Sequence, residues 1–525
     1  MMTKKALSIL LALLLLTLPG LSLAESAEAP AGPATLTNTD GFVYTVNPDG
    51  TAVIAGYTGG KDDLVIPASI DGHTVTAIGS YAFSGSPLTG VTVPDSVKTI
   101  ADSAFAHSRS LTRVRLPEGL ETLETCAFLY CRELTEVNLP DSLQSISSSV
   151  FSGCAKLETV ALSADHPRFE LVDGVLFTRG GSLLIWYPAC RKGERYTVPE
   201  GTQRIDYYAF NNAENLTAVQ IPESVTEIRN NAFNLCGKLR EVNIPAQVTR
   251  LDGVFKGCTS LTHVQVSPDN PVFYSVDGVL FHREEQALVL YPAGRGEDRY
   301  VVPEGTLAIG FESFADAASL EEIVLPASLT RIGNDAFFKC TSLKTVEMPE
   351  TLEVIEGLAF QHCHSLSSIR LPRGLTKVGG NPFVYCRSLR EVTVDDDHPL
   401  LAIMNRALVS KTDMTLLWYP LADSETRCEV AEGVTAIDGL AFCGCAQLKE
   451  VILPEGLRSI GYYAFEGCRS LERVVLPASL EEIVKTAFDI QVGRQDEIHT
   501  VYVVTKGSYA ENFCLAYGLA VEYAE

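Results

Sequence analysis

From Leu134 to Pro140 the chain reads LTEVNLP, with apolar Leu134, Val137 and Leu139 set against polar Glu136 and Asn138. That alternation has the period of a short strand with one buried face. Pro140 then ends the strand. The following segment, DSLQSISSSVFSGC, turns Leu143, Ile146, Phe151 and Cys154 inward, and its Ser and Gly residues supply turns at a spacing too tight for a regular helix.

The same pattern returns. LETCAFLYCRELTEVNLP (Leu123 to Pro140), IGNDAFFKCTSLKTVEMP (Ile332 to Pro349) and IGYYAFEGCRSLERVVLP (Ile460 to Pro477) keep Ala, Phe, Cys, Leu, Val and Pro at identical offsets. The closing prolines fall into groups with a step of 23: Pro94, Pro117 and Pro140; Pro199, Pro222 and Pro245; Pro303, Pro326, Pro349 and Pro372; then Pro454 and Pro477, with Ala431 in the place before them. Fourteen units carry the internal aromatic, from Phe83 and Phe105 to Phe465 and Phe488. A unit of 23 residues cannot bury its own Leu, Val, Ile and Phe, so neighbouring units must cover them. The expectation is a mainly β repeat solenoid with a parallel sheet.

Three longer units interrupt the array: HPRFELVDGVLFTRGGSLLIWYP, NPVFYSVDGVLFHREEQALVLYP and HPLLAIMNRALVSKTDMTLLWYP, which stretch the spacing to 35 or 36. The run VLFTRGGSLLIWYP reads as a hairpin around Gly180 and Gly181. The third insert has Asn405 and Arg406 where the others have Asp-Gly, which leaves its turn the least defined of the three.

The combination LPxxLxxIxxxAFxxCxxLxxVxLP resembles the leucine-rich repeats of the BspA-like type, a group of largely bacterial secreted and surface proteins. The resemblance covers roughly Gly41 to Glu525. It implies a right-handed leucine-rich-repeat array of 23-residue units with β-hairpin inserts and terminal caps, and it raises adhesion or host interaction as the activity. A fold of this kind names a scaffold, not a ligand.

The ends differ from the middle. Lys4 and Lys5 precede an apolar run to about Leu18, with small residues at Ser22 and Ala24, the pattern of a secretory signal peptide cut after Ala24. The expected layout is a signal peptide at 1–24, a disordered linker at 25–40, an N-terminal β cap at 41–77, the solenoid at 78–498 with inserts near 166–198, 270–302 and 398–430, and a C-terminal cap at 499–525. In that last cap TVYVV and LAVEY read as strands flanking a short helix, with Ser508 as its N-cap and Gly518 as its stop. The first Cys is Cys126, so no lipoprotein anchor is expected, nor a membrane span in the mature chain.

The 65 Asp and Glu against 41 Lys and Arg argue against nucleic acid or anionic membrane as a partner. Fourteen Cys invite a disulfide framework. However, Cys131, Cys154, Cys236, Cys258, Cys340, Cys363, Cys386, Cys445 and Cys468 all stand three residues after the unit Phe. In a stack their Cβ vectors run parallel, whereas a disulfide needs them to converge. Buried thiols are the expectation there, and Cys126, Cys190, Cys428, Cys443 and Cys514 remain as candidates for pairing. His362, Cys363 and His364, and Cys443 with Cys445, resemble metal ligands locally, but each set includes a column Cys that points inward. Asp395, Asp396 and Asp397 lack a second ligand set and read as a solvated loop. No metal or other cofactor is expected. Without a nucleophile elbow, HExxH, phosphate loop or dinucleotide fingerprint, neither is an enzyme.

What remains is the outward ladder on the strands, read from alternation. Its candidate binding residues are Arg113, Arg115, Glu136, Asn138, Gln220, Glu241, Asn243, His263, Gln265, Glu322, Thr345, Glu347, Ser368, Arg370, Glu391 and Thr393. They read either as a concave face for an extracellular protein or glycan, bound by a monomer, or as an ordinary solvated sheet face. In the second case the chain is a structural spacer or assembly component of the cell surface.

Overall fold

The computed structural model describes residues 35–147, 149–251, 253–420, 425–488 and 500–524. The expected signal peptide lies outside them. The chain divides after Pro271 into two compact units. Each is a mainly β solenoid whose successive repeats are tied together by three hydrogen-bonded ladders.

The first ladder is made of the LxxVxLP strands. Arg113–Arg115 lies parallel between Gly90–Thr92 and Glu136–Leu139, with Val114 opposite Val91 and Val137. In the second unit Glu322–Val324 lies between Arg299–Val301 and Thr345–Glu347 in the same way. The second ladder was not foreseen. Pairs of residues such as Thr99–Ile100, Thr122–Leu123 and Ser145–Ile146 form a further parallel sheet, with Ile100, Leu123 and Ile146 in one row. The turn between the two sheets opens on the proline, whose carbonyl accepts from the leucine amide three residues on, as in Leu120 N to Pro117 O at 3.1 Å.

The third ladder joins the AF turns. Phe105 N donates to Ala127 O at 2.8 Å, and Ser103 N and His107 N donate to Thr125 O and Leu129 O. These bonds go with left-handed φ at residues four apart in the turn that are not glycine, among them Ser103, His107, Cys126, Tyr130, Leu235 and Leu358. Such angles are uncommon outside glycine and asparagine. The repeated ladder bonds on either side hold them in place.

Inside the ladders the phenylalanines stack. Phe314, Phe337 and Phe360 are fully buried, with ring centroids 5.1 and 4.9 Å apart and planes within 18°, an offset-stacked range for aromatic pairs. The inserts do not break this column but restart it. Trp186 meets Phe151 edge-on at 5.5 Å, and the adjacent Tyr187 stands 5.0 Å from Phe210. Trp418 and Tyr419 do the same between Phe383 and Phe442.

The cysteine column has a hydrogen-bonding role that the sequence reading missed. Cys131, Cys154, Cys236, Cys340, Cys363 and Cys386 each donate from Sγ to the carbonyl of the Phe one repeat back, at 3.0–3.2 Å. Where Ser108 replaces Cys, its hydroxyl makes the same bond to Phe83 O at 2.7 Å. None of the fourteen cysteines is in a disulfide, the five irregular ones included. Burial pushes the Cys131 thiol up to about 12 and raises that of Cys154 well above the ordinary range.

Each insert is a three-stranded antiparallel meander, one strand more than the hairpin expected. The first runs through Phe169–Val172, Val175–Thr178 and Leu183–Trp186, and its last strand joins Arg204–Ile205 in parallel. Asn405 and Arg406, at φ 43° and 72°, make the same left-handed pair as Asp173 and Gly174. The third insert therefore turns as the others do. Each insert begins on a buried polar latch: His166 and His398 donate from Nε2 to Pro140 O and Pro372 O and accept two backbone amides at Nδ1, and Asn270 donates to Pro245 O and Val248 O.

At the start of the chain Leu36–Thr37 pairs with Phe42–Val46, so strand pairing begins inside the stretch expected as linker. The α-helix Tyr509–Ala516 is capped by Ser508, whose Oγ accepts from Glu511 N at 3.1 Å.

Two outcomes are expected. Phe337→Ala removes a ring whose neighbours are fixed by three ladders, and should cost about 3–5 kcal/mol. Because solenoid stability is nearly a sum over repeats, hydrogen exchange should accelerate around 314–360 and not at the far ends; unchanged protection there refutes the packing role. Native protein at pH 8 should react with a thiol reagent at few cysteines, whereas protein denatured without reductant should release all fourteen, since thiolate is the reactive form.

Candidate functional site

In the first ladder the central strand residue points inward and its flanking residues point out. Arg113, Arg115, Glu136, Gln220, Glu241, His263 and Gln265 are exposed on the face of the first unit, and Glu322, Thr345, Glu347, Ser368, Arg370 and Glu391 on that of the second. Asn138, Asn243 and Thr393 are half-buried. Register brings the residues together in rows: Glu136 beside Arg113, Glu241 beside His263, Asn243 beside Gln265, Glu322 beside Thr345, Ser368 beside Glu391 and Arg370 beside Thr393.

The two asparagines are structural. Asn138 Oδ1 accepts from Leu116 N and its Nδ2 donates to Leu116 O, both at 2.8 Å. Asn243 grips Ile221 in the same way, at 2.7 Å for both bonds. Elsewhere a backbone carbonyl meets the corresponding amide, as Thr393 O meets Leu371 N at 2.9 Å. The side-chain amide thus stands in for a peptide group in the ladder. A sequence signal existed, since Asn138 and Asn243 occupy the same place two residues before a closing proline.

Much of the remaining charge is paired across rungs. Arg113 pairs with Asp63 and Arg195 with Glu241; Arg299 reaches Glu322 at 3.0 Å. Arg370 bridges Glu350 at 2.6 Å and Asp395 at 3.1 Å, and Arg473 reaches Glu522 at 2.7 Å. These pairs are solvent-exposed and each is worth about 0–1 kcal/mol. They order the face more than they stabilise it. Asp63, Arg195, Arg299, Arg427 and Glu450 share the ladder although the sequence reading omitted them; Arg195 and Arg299 precede strand prolines Pro199 and Pro303 by four residues, which was the available signal. Glu136, Glu347 and Glu391 stand outside these pairs.

The histidines and aspartates that resembled metal ligands are engaged in other contacts. Cys363 turns inward to Phe337 O, His364 Nδ1 donates to Tyr385 O at 3.1 Å, and the His362 ring stacks on Tyr385 at 4.9 Å. Burial, with His364, Lys339 and Arg387 adding repulsion, pushes His362 down to about 4. Asp395 is held by Arg370 and Asp397 by Arg373. Among the described residues no three His, Cys, Asp or Glu side chains converge as metal ligands do, and no helix is long and apolar enough to cross a membrane.

The repeat can now be compared with known proteins. Residues 66–170, 186–276, 301–415 and 422–506 match the BspA type leucine rich repeat region, in six copies. The chain belongs to the BspA-type leucine-rich repeat family. Similar solved structures include a leucine-rich cell surface protein of Faecalibacterium prausnitzii, 24% identical, with 87% of this chain and 96% of that one aligned at a TM-score of 0.42. A leucine-rich repeat protein of Eubacterium ventriosum is 21% identical over 63% of this chain and 95% of its own, at a TM-score of 0.44. The pneumococcal vaccine antigen PcpA is 20% identical over 94% and 99%, at 0.35. No curated protein matches the chain.

Within this BspA-type ladder, Asn138 and Glu136 make a clean comparison. Asn138→Ala leaves Leu116 without its partner and should destabilise by about 1–3 kcal/mol. Glu136→Ala should stay within about 0.5 kcal/mol. Denaturant melts of the two variants check this; equal effects would contradict the bridging role.

Proposed function

We propose that this BspA-type protein is an exported, non-enzymatic recognition scaffold of the bacterial surface, which binds a protein or glycan through the exposed face of its three-residue strands. One observation carries the reading: the outward side chains stand in register, so that a chemically varied polar row repeats at strand spacing. A linear partner lying across successive rungs meets a new set of donors, acceptors and charges at each step. Adhesion to a host or neighbouring cell is the use that such a face suits.

The ion pairs favour specificity over raw affinity. Arg195 and Glu241, or Arg299 and Glu322, already satisfy one another, so a partner must match their combined field. The free polar residues Glu136, Gln220, His263 and Gln265 supply direct contacts. A partner is to be sought by pull-down with the purified mature chain from secreted and surface fractions. Replacing those four residues with Ala should leave the melting temperature unchanged and weaken the captured partner at least tenfold, about 1.4 kcal/mol. Unchanged affinity removes this part of the face as the site, and turnover of the partner by pure protein rejects the non-enzymatic reading.

A further inference from the structure

The third insert opens a break in the two-residue sheet. Lys377–Val378 ends one stretch of that sheet, and Thr415–Trp418, pairing with Ala407–Ser410 on one side and Ala436–Ile437 on the other, begins the next. A cavity of about 550 Å³ lies at the break. Leu375, Val378, Leu400, Leu401 and Leu417 give it apolar walls, and Asp438 is its most enclosed charge. That volume lies within the range of small-ligand pockets.

The first insert makes the corresponding break with the same Ile-Asp step, but there the carboxylate already has a cation. There Asp206 follows Ile205 and accepts from the next amide, Tyr207 N, at 2.9 Å. Arg229, one rung on, pairs with Asp206 at 2.9 Å and lies over the Tyr207 ring at 5.2 Å. At the third insert Asp438 follows Ile437 and accepts from Gly439 N at 2.8 Å. Gly439 stands where Tyr207 stood, and Gly461 where Arg229 stood. The carboxylate is kept; its arginine and the covering ring at the next residue are gone. In their place the half-exposed ring of Tyr462 packs over Gly439, and both its hydroxyl and Asp438 Oδ2 approach Gly380.

We propose that this cavity binds a basic side chain, arginine or lysine, of a partner polypeptide, with Asp438 as counter-charge and the leucine walls against the aliphatic stem. The incoming cation takes the place that Arg229 fills in the first unit. Long basic side chains bury their stems on apolar surface while their heads stay polar. The surrounding charges agree: Asp413 and Glu482 share the lining, with Lys377 as its one cation. Burial raises the Asp438 carboxyl above its ordinary range and Asp413 pushes the same way, against the Gly439 amide. A bound cation would reverse that rise, which is the coupling expected of a counter-ion. The site lies on another ladder from the proposed recognition face and does not depend on it.

The test uses the full mature chain and three probes: N-acetyl-arginine methylamide, its lysine counterpart, and the neutral citrulline isostere. Saturation-transfer NMR and equilibrium dialysis should show the two cations bound and citrulline at least tenfold weaker. Asp438→Asn should abolish the difference, whereas Asp206→Asn should leave it intact. Leu400→Lys, which brings a cation in from the rim, should block binding without removing the carboxylate, and thermal melts check that each variant is folded. Equal binding of citrulline, undiminished binding by Asp438→Asn, or binding of a neutral sugar in preference to the cations would each overturn the proposal.

Discussion

Register between successive repeats is the constraint on which the rest of this structure depends. A strand of three residues, a strand of two and a strained turn must each meet the same element of the next repeat, and none of them is long enough to persist alone. The strained turn is the most demanding. Tyr130 and Leu235 hold left-handed φ because Tyr130 N and Leu235 N each reach a carbonyl in the following repeat, Ser152 O and Lys256 O, at 2.8 Å. The phenylalanine stack lies directly inside that turn, so aromatic packing and backbone strain are settled by the same register. The cysteine thiol completes the arrangement by giving the phenylalanine carbonyl a donor where no water can reach.

An insert is a defect in this register, and the chain handles it with a fixed set of parts. A buried histidine or asparagine caps the closing-proline carbonyl one repeat before the insert, and a tyrosine restarts the aromatic column after it. The two-residue sheet cannot cross the gap, because the last insert strand already has a partner on each side. Breaks in that sheet are therefore built into the design. What differs between two such breaks is the company of the carboxylate: Asp206 has Arg229 one rung on, and Asp438 has Gly461 there.

What the sequence revealed follows from how strongly each feature depends on residue identity. Phe, Cys, Leu and the closing Pro each fill one shape at one offset, so their recurrence exposed the stack, the inward thiols and the LxxVxLP sheet. The second sheet stayed hidden because a two-residue strand is too short to alternate. The left-handed residues stayed hidden because Cys126, Tyr130 and Leu235 have nothing in common except their position. Tyr187, Tyr291 and Tyr419 each stand 23 before a unit Phe, a signal the sequence reading left unused because it followed Phe alone. On the candidate face, Asn138 and Glu136 looked alike, since alternation reports which way a side chain leaves the strand and not whether it bends back to the backbone.

The same logic says where chemistry can reside in a repeat protein. Positions inside the stack are held to a narrow choice of residue type, so they carry no information about a partner. Outward positions are free to vary, and part of their charge here is absorbed by cross-rung pairs that satisfy themselves. The informative residues are then those that break a pairing found elsewhere in the same chain under the same backbone geometry. Asp206 and Asp438 share a rung position, a preceding isoleucine and an amide partner, and differ in having or lacking an arginine one rung away. A repeat protein thus contains its own control: the copy with the arginine shows what the other copy lacks, and the missing group defines the chemistry of whatever is to take its place.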